Sequence, residues 1–299
     1  MKKMIFPMVL IAMLVVTACS NHEIVENQVI NNDALVPVRV HVDGFTATQE
    51  DFPDTRTDTQ SPADYDGVNA VTLAFYNGTT EAYKVTQLKT DASTFTKFGE
   101  FECALPLGSY TMVVIAYTTK EGSPFVLTSP TVAAYTGDHP YETFAKTQTV
   151  NVTNSNAVDI SATLNRIVAK LRVESSDKRV AAASSVRMTL SAGGKSFNPT
   201  TGLATVNTGF SNTVSISAAV GNRSGSSTCF FLATDEQTMN VTIETLDASG
   251  NTLFSKTVNN VLFQRNKVTK LTGAMYTNSS VTGSFQLPSD WLEESSIAF

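Results

Sequence analysis

Val38-Arg39-Val40-His41-Val42-Asp43 decides the fold, because valine and a polar residue alternate through it with a period of two. Successive side chains of a strand point to opposite faces, so the segment reads as a strand with one buried and one wet face. The same rule recurs along the chain. Val71, Leu73 and Phe75 repeat it; Ile167, Ala169, Leu171 and Val173 alternate with Arg166, Lys170 and Arg172; Met239, Val241 and Ile243 alternate with Asn240, Thr242 and Glu244. Tyr110 to Tyr117 (YTMVVIAY) is apolar on both faces, which predicts a central strand covered on both sides. Turn residues fall between the runs: Asn77-Gly78, Leu107-Gly108, Glu121-Gly122-Ser123-Pro124, Gly193-Gly194 and Ala248-Ser249-Gly250-Asn251. Helical signals are confined to Pro140 to Thr147 and Arg179 to Ser184, each enough for a turn or two. Many short strands at this spacing predict an all-β chain of β-sandwiches.

At its start the chain carries Lys2 and Lys3 and then an apolar run from Met4 to Val16, too short to span a bilayer as a stable anchor. This is the pattern of a secretory signal. Val16-Thr17-Ala18-Cys19 has the form of a lipobox, with cleavage between Ala18 and Cys19 and lipid attachment on the Cys19 thiol. At about 0.8 kcal/mol per buried methylene, several acyl chains on one residue make a durable anchor. Loss of residues 1–18 removes two lysines and no acid, so the formal charge moves from −6 to −8. An acidic chain lacks the basic face that nucleic acid requires. Ser20 to Asn27 are polar and mildly acidic with no globular pattern, and residues 19–34 read as a lipidated tether. The 281 residues left of 299 exceed what one core usually organises, which favours two domains. The boundary falls at Leu164-Asn165, giving an N-terminal β-sandwich over residues 35–164 and a C-terminal one over 165–299. Val158 to Leu164 and Val268 to Met275 close the two halves with similar sequence, as tandem repeats would.

The residues offer little chemistry. Of three histidines, His22 lies in the tether, His41 on the polar face of a strand and His139 in a loop. No metalloprotease, serine hydrolase, phosphate-loop or dinucleotide motif occurs, so neither a catalytic residue nor a metal ligand set nor a cofactor site is assigned. Ser175-Ser176-Asp177-Lys178 matches S-x-x-K, but lies at a strand end rather than a helix start. Asp64-Tyr65-Asp66-Gly67 could offer carboxylates to calcium, yet lacks the spaced acids of a full loop, and a solvated turn is favoured. Trp291 suits either sugar binding or packing, with packing favoured. Cys103 and Cys229 are far apart in sequence and are taken as two separate buried thiols rather than a disulfide.

Several segments together resemble one family: the lipobox, Phe45 to Arg56 (FTATQEDFPDTR), Phe98-Gly99-Glu100-Phe101 followed by Leu105 to Thr111, Leu164 to Val173 (LNRIVAKLRV), and Arg265 to Gly273. The chain is similar in these to the Bacteroidales fimbrillin superfamily of type V pili, above all to FimB-type fimbrial subunit and anchor lipoproteins. The resemblance implies two transthyretin-like sandwiches and assembly by β-strand addition, in which a strand from a neighbour fills a groove left by a missing strand. In structural members an arginine-specific protease removes the first strand. Here the resemblance puts that cut after Arg56, before Thr57; Arg39 is a poorer candidate because it lies within the strand. Val281, Gly283, Phe285 and Leu287 alternate with polar residues and form either a strand exchanged with the next subunit or the last strand of the second sandwich, the latter being favoured. The expectation is a non-enzymatic outer-membrane lipoprotein of the cell surface or fimbrium. Its partners would be other fimbrial subunits, the outer membrane through the lipid, and a host or bacterial surface ligand. The alternative is a surface lipoprotein that binds a glycan or host ligand without polymerising.

Overall fold

The computed structural model describes residues 35–46, 61–277 and 296–298. The first half contributes β1 (Val36–Thr46), β2 (Ala70–Asn77), β3 (Thr80–Leu88), β4 (Glu100–Leu105), β5 (Gly108–Tyr117), β6 (Phe125–Ser129), β7 (Val132–Tyr135), β8 (Thr143–Val152) and β9 (Val158–Arg166). The second contributes β10 (Ala169–Ser175), β11 (Ser185–Leu190), β12 (Ser196–Asn198), β13 (Leu203–Ala204), β14 (Phe210–Ser215), β15 (Gly225–Phe230), β16 (Glu236–Leu246), β17 (Thr252–Gln264), β18 (Val268–Gly273) and β19 (Ser296–Ala298). The one described helical element is a 3₁₀ turn, Ala92–Thr94, so the fold is all-β.

The alternating valines do what their spacing dictates. Val36, Val38, Val40 and Val42 of β1 face inward and are essentially fully buried, while Arg39 and Asp43 face out. β1 pairs antiparallel with β4 and parallel with β9. The seven-stranded sheet runs β3-β2-β5-β8-β9-β1-β4, and β8 touches β9 only through Phe144↔Arg166 and Ala145↔Asn165. At that corner the sheet folds into two layers, β3-β2-β5-β8 and β9-β1-β4, which enclose a core including Leu73, Phe75, Phe101, Met112 and Val114. At the β2–β3 hairpin, Gly78 adopts φ 60, a left-handed conformation that glycine accepts without the strain of a Cβ.

The second half repeats the plan strand for strand. β10, its first strand, pairs antiparallel with β15 and parallel with β18, as β1 does with β4 and β9. The facing layer runs β14-β11-β16-β17, in place of β3-β2-β5-β8. Val158 to Leu164 and the start of Val268 to Met275 thus hold the same position, each as the last strand of its repeat. Three pieces fall outside the shared pattern. The hairpin β6–β7 is inserted between the fifth and sixth strands of the first repeat, and β12–β13 between the second and third of the second. These two hairpins pair with each other through β7 and β12, building one small sheet from both halves. The third piece, β19, adds to the edge of β18 in parallel.

This shared sheet corrects one reading of the sequence. β2 alternates Val71, Leu73 and Phe75 as though one face were wet, but Ala70, Thr72, Ala74 and Tyr76 are buried as well. They lie under a third core with Ile115, Tyr135, Phe197 and Phe231, where the Phe197 and Phe231 rings stack at 4.4 Å. Small residues do not signal a covering layer that is supplied from elsewhere in the chain. β5 is buried on both faces, as YTMVVIAY predicts. The two expected helical turns are corrected too. Thr143 to Thr147 belongs to β8, paired with β5 from Tyr117↔Thr143 to Gly108↔Val152. Arg179 to Ser184 is turn and irregular backbone, because the Arg179 guanidinium donates to the carbonyls of Ala183, Ile216 and Ala218 and binds the segment to a neighbouring loop.

Candidate functional site

The place of β1 in its sheet defines the candidate site. Five of its apolar side chains, Val36, Val38, Val40, Val42 and Phe45, are each at most 2% exposed. At about 2 kcal/mol for each, they contribute roughly 10 kcal/mol of gross burial. The polar face adds little. Arg39 meets Glu102 at 3.1 Å and Asp159 at 3.7 Å, and His41 lies 3.3 Å from both Asp43 and Glu100, all of them exposed. Such pairs contribute at most about 1 kcal/mol each. The strand is therefore held by its valines and by two ladders of backbone hydrogen bonds. Any strand with the same alternation could make both.

Beside this seat, β3 and β4 end the seven-stranded sheet among the described residues, and a groove of about 890 Å³ is lined by both. Tyr83, Val85, Phe95 and Phe101 line it together with Asp91, Glu100, Glu102 and Asp159. One end is closed by the buried Gln87, whose amide donates to the carbonyl of Glu100 at 2.6 Å and accepts from the N–H of Gly99 at 2.8 Å. The side chain thus does for β4 what a neighbouring strand would. Gly99 has φ +92, and a Cβ there would come within 2.9 Å of Pro62.

Where the repeats meet, charge is half-buried. Arg166 at the end of β9 donates to Glu142 at 2.6 Å, to the Tyr65 hydroxyl at 3.0 Å and to Asn266 at 3.0 Å, with its guanidinium over the Phe144 ring. Tyr65 in turn donates to Glu142 at 2.7 Å. Burial first, and the Glu142 charge second, push the Tyr65 phenol well above its ordinary value, so it remains a donor. The Asp64 to Gly67 segment is thus a turn whose tyrosine anchors the junction. Among the described residues no group of three or more His, Cys, Asp and Glu comes together as a metal site would need.

The remaining sequence candidates fall out as follows. Cys103 and Cys229 are free and half-buried, and burial pushes both thiols up to about 11, which keeps them protonated. The His139 ring packs at a tilt against Tyr141, 4.6 Å between centroids, in its loop. In the S-x-x-K segment Asp177 is the working residue, accepting the N–H groups of Met275, Tyr276 and Thr277, each at 2.9 Å. Ala18 and Cys19, Arg56 and Thr57, Val281, Gly283, Phe285 and Leu287, and Trp291 lie outside the described residues. Sequence reading missed Gln87 and the Tyr65, Glu142 and Arg166 cluster. Only the odd placement of a glutamine among inward-facing strand positions hinted at the first.

Residues 48–296 match the model of a family of unknown function, DUF6562. The chain belongs to this family. No curated protein sequence matches it. Among solved structures, the DUF6562 chain is similar to a candidate adhesin from Bacteroides ovatus ATCC 8483, with a TM-score of 0.51, 12% identity, and coverage of 82% of this chain and 88% of that one. A second candidate adhesin from Bacteroides ovatus gives 0.50, 9%, 74% and 77%. The fimbrial anchor protein Mfa2 from Porphyromonas gingivalis gives 0.48, 12%, 75% and 82%. At these identities the likeness is one of fold.

Proposed function

We propose that this DUF6562 protein is a lipid-anchored surface protein of the fimbrial and adhesin kind, an anchor or accessory subunit that joins its neighbours by β-strand addition. The observation that carries the reading is the double pairing of β1. It lies between β4 and β9 and fills the core with four valines and a phenylalanine. If β1 left, two ladders would be unpaired and an apolar groove opened, a strong acceptor for a strand of matching alternation. The link from β1 to the rest of the chain runs through residues 47–60, with Arg56 among them. Cleavage there would free Cys19 to Arg56, lipid and first strand together; without cleavage the protein would stay a membrane-held anchor. The adhesin-like fold of the Bacteroides ovatus proteins supports the reading.

The test is to incubate the purified protein with an arginine-specific protease, with Arg56→Ala as control. Ladders of multimers from the parent protein and none from the variant are expected. A cut protein that remains monomeric, and binds glycan as the uncut one does, would instead favour the non-polymerising binding module.

A further inference from the structure

The geometry points to a second strand-docking site on this protein, the outer edge of β4, which pairs with no strand among the described residues and which we propose takes an extended peptide whose apolar residues alternate with lysine or arginine. The Val42 N–H donates to the Gly99 carbonyl at 3.0 Å, and the pairs run in register from there to Val36↔Leu105. In an antiparallel ladder alternate residues turn both backbone groups toward the partner. Phe101, Cys103 and Leu105 therefore bond β1, with Gly99 joining through its carbonyl alone, and Glu100, Glu102 and Ala104 turn away from it. Pro37, which has no N–H, sits opposite Ala104, where none is needed.

Of the three outward residues, Glu100 is already satisfied. Its N–H donates to the Lys97 carbonyl at 3.0 Å, and its own carbonyl accepts from Gln87. Glu102 and Ala104 have no backbone partner among the described residues, which leaves two N–H and two C=O groups side by side on a groove of about 890 Å³. An added strand would meet Tyr83, Val85 and Phe101 with one face and the carboxylates of Asp91, Glu100 and Glu102 with the other. Against those three acids stand Arg39, which Glu102 shares with Asp159 across β1, and Lys97 on Glu100 at 3.0 Å. Carboxylates line this edge, so it selects basic residues at alternate positions. The site leaves β1 in place, so it does not depend on strand replacement.

The test uses uncut protein and a capped, fluorescent heptapeptide of alternating valine and lysine, with glutamate replacing lysine in the control. The lysine peptide is expected to bind saturably and to protect the Glu102 and Ala104 amides from hydrogen exchange. Ala104→Pro removes only the outward N–H and should weaken binding roughly fivefold. Glu102→Lys should weaken the lysine peptide about tenfold and favour the glutamate peptide. Equal binding of both peptides, protection at another edge such as β17, or unchanged affinity in an Ala104→Pro protein of parental melting temperature would overturn the proposal. Should Ala104→Pro not fold, the exchange pattern of the unaltered protein decides it.

Discussion

β1 and β10 occupy one position in two copies of the same pattern, each between an antiparallel fourth strand and a parallel last strand. Their attachments differ. β10 follows β9 after only Ile167 and Val168, both buried in the shared core, with the Ile167 N–H donating to the Thr143 carbonyl at 3.0 Å. β1 connects onward through residues 47–60. A single cut there would detach β1 as a strand, whereas releasing β10 would need cuts on both sides of a packed element. The lesson is that equal packing does not mean equal exchangeability; the covalent path decides it.

The third strands, β3 and β14, make a second contrast. Gln87 on β3 bridges to the backbone at the start of β4. Asn212 on β14 is 1% exposed, and neither its amide oxygen nor its nitrogen has a partner among the described residues. A satisfied amide stabilises the gap that it spans, while an unsatisfied one weakens its core.

Four substitutions probe these pairs. A carboxylate in either first strand should have the largest effect. Val40→Asp and Val173→Asp should each cost about 4 kcal/mol in urea unfolding, and a much smaller cost for Val40 would show that β1 is loosely packed. Next, Gln87→Leu should lose about 2 kcal/mol, since the Gly99 N–H and Glu100 carbonyl are left without partners, whereas Asn212→Leu should gain about 1 kcal/mol. Equal signs for the two would erase the contrast.

Acid should act unevenly. Burial opposes the charge on Asp177, but the N–H groups of Met275 and Tyr276 and the Thr277 hydroxyl outweigh it and hold the carboxyl below its ordinary 3.8. A depressed value means stability that is present above about pH 4 and lost as pH falls below it. Thermal melts of Asp177→Asn should therefore change less between pH 5 and pH 3 than those of the parent, by roughly the effect of one carboxylate. Smallest of all, Arg39→Ala should shift stability by no more than about 0.5 kcal/mol, as its partners are exposed.

The alternation of β1, β10 and β16 was legible because charged or polar residues mark the wet face at every second position. The cover over β2 was not, since its second face is written in alanine and threonine and its lid comes from β7 and β12, short strands far apart in sequence. Pairing across such a distance leaves no local pattern. Gln87 gave only the hint of a glutamine at an inward-facing position, since its partners lie on the opposite side of a loop. Both helical turns failed because three alanines at residues 181–183, though good helix formers, are too few to nucleate a helix against the Arg179 contacts, and because pairing with β5 overrides the mixed Pro140 to Thr147 segment.

The exchangeability of β1 is tested most directly with a fluorescent peptide of residues 35–46, offered to the protein before and after arginine-specific cleavage. The account predicts incorporation near one peptide per protein after cleavage, none before it, and none in Arg56→Ala. Complete cleavage after Arg56 without any uptake of the peptide would contradict it.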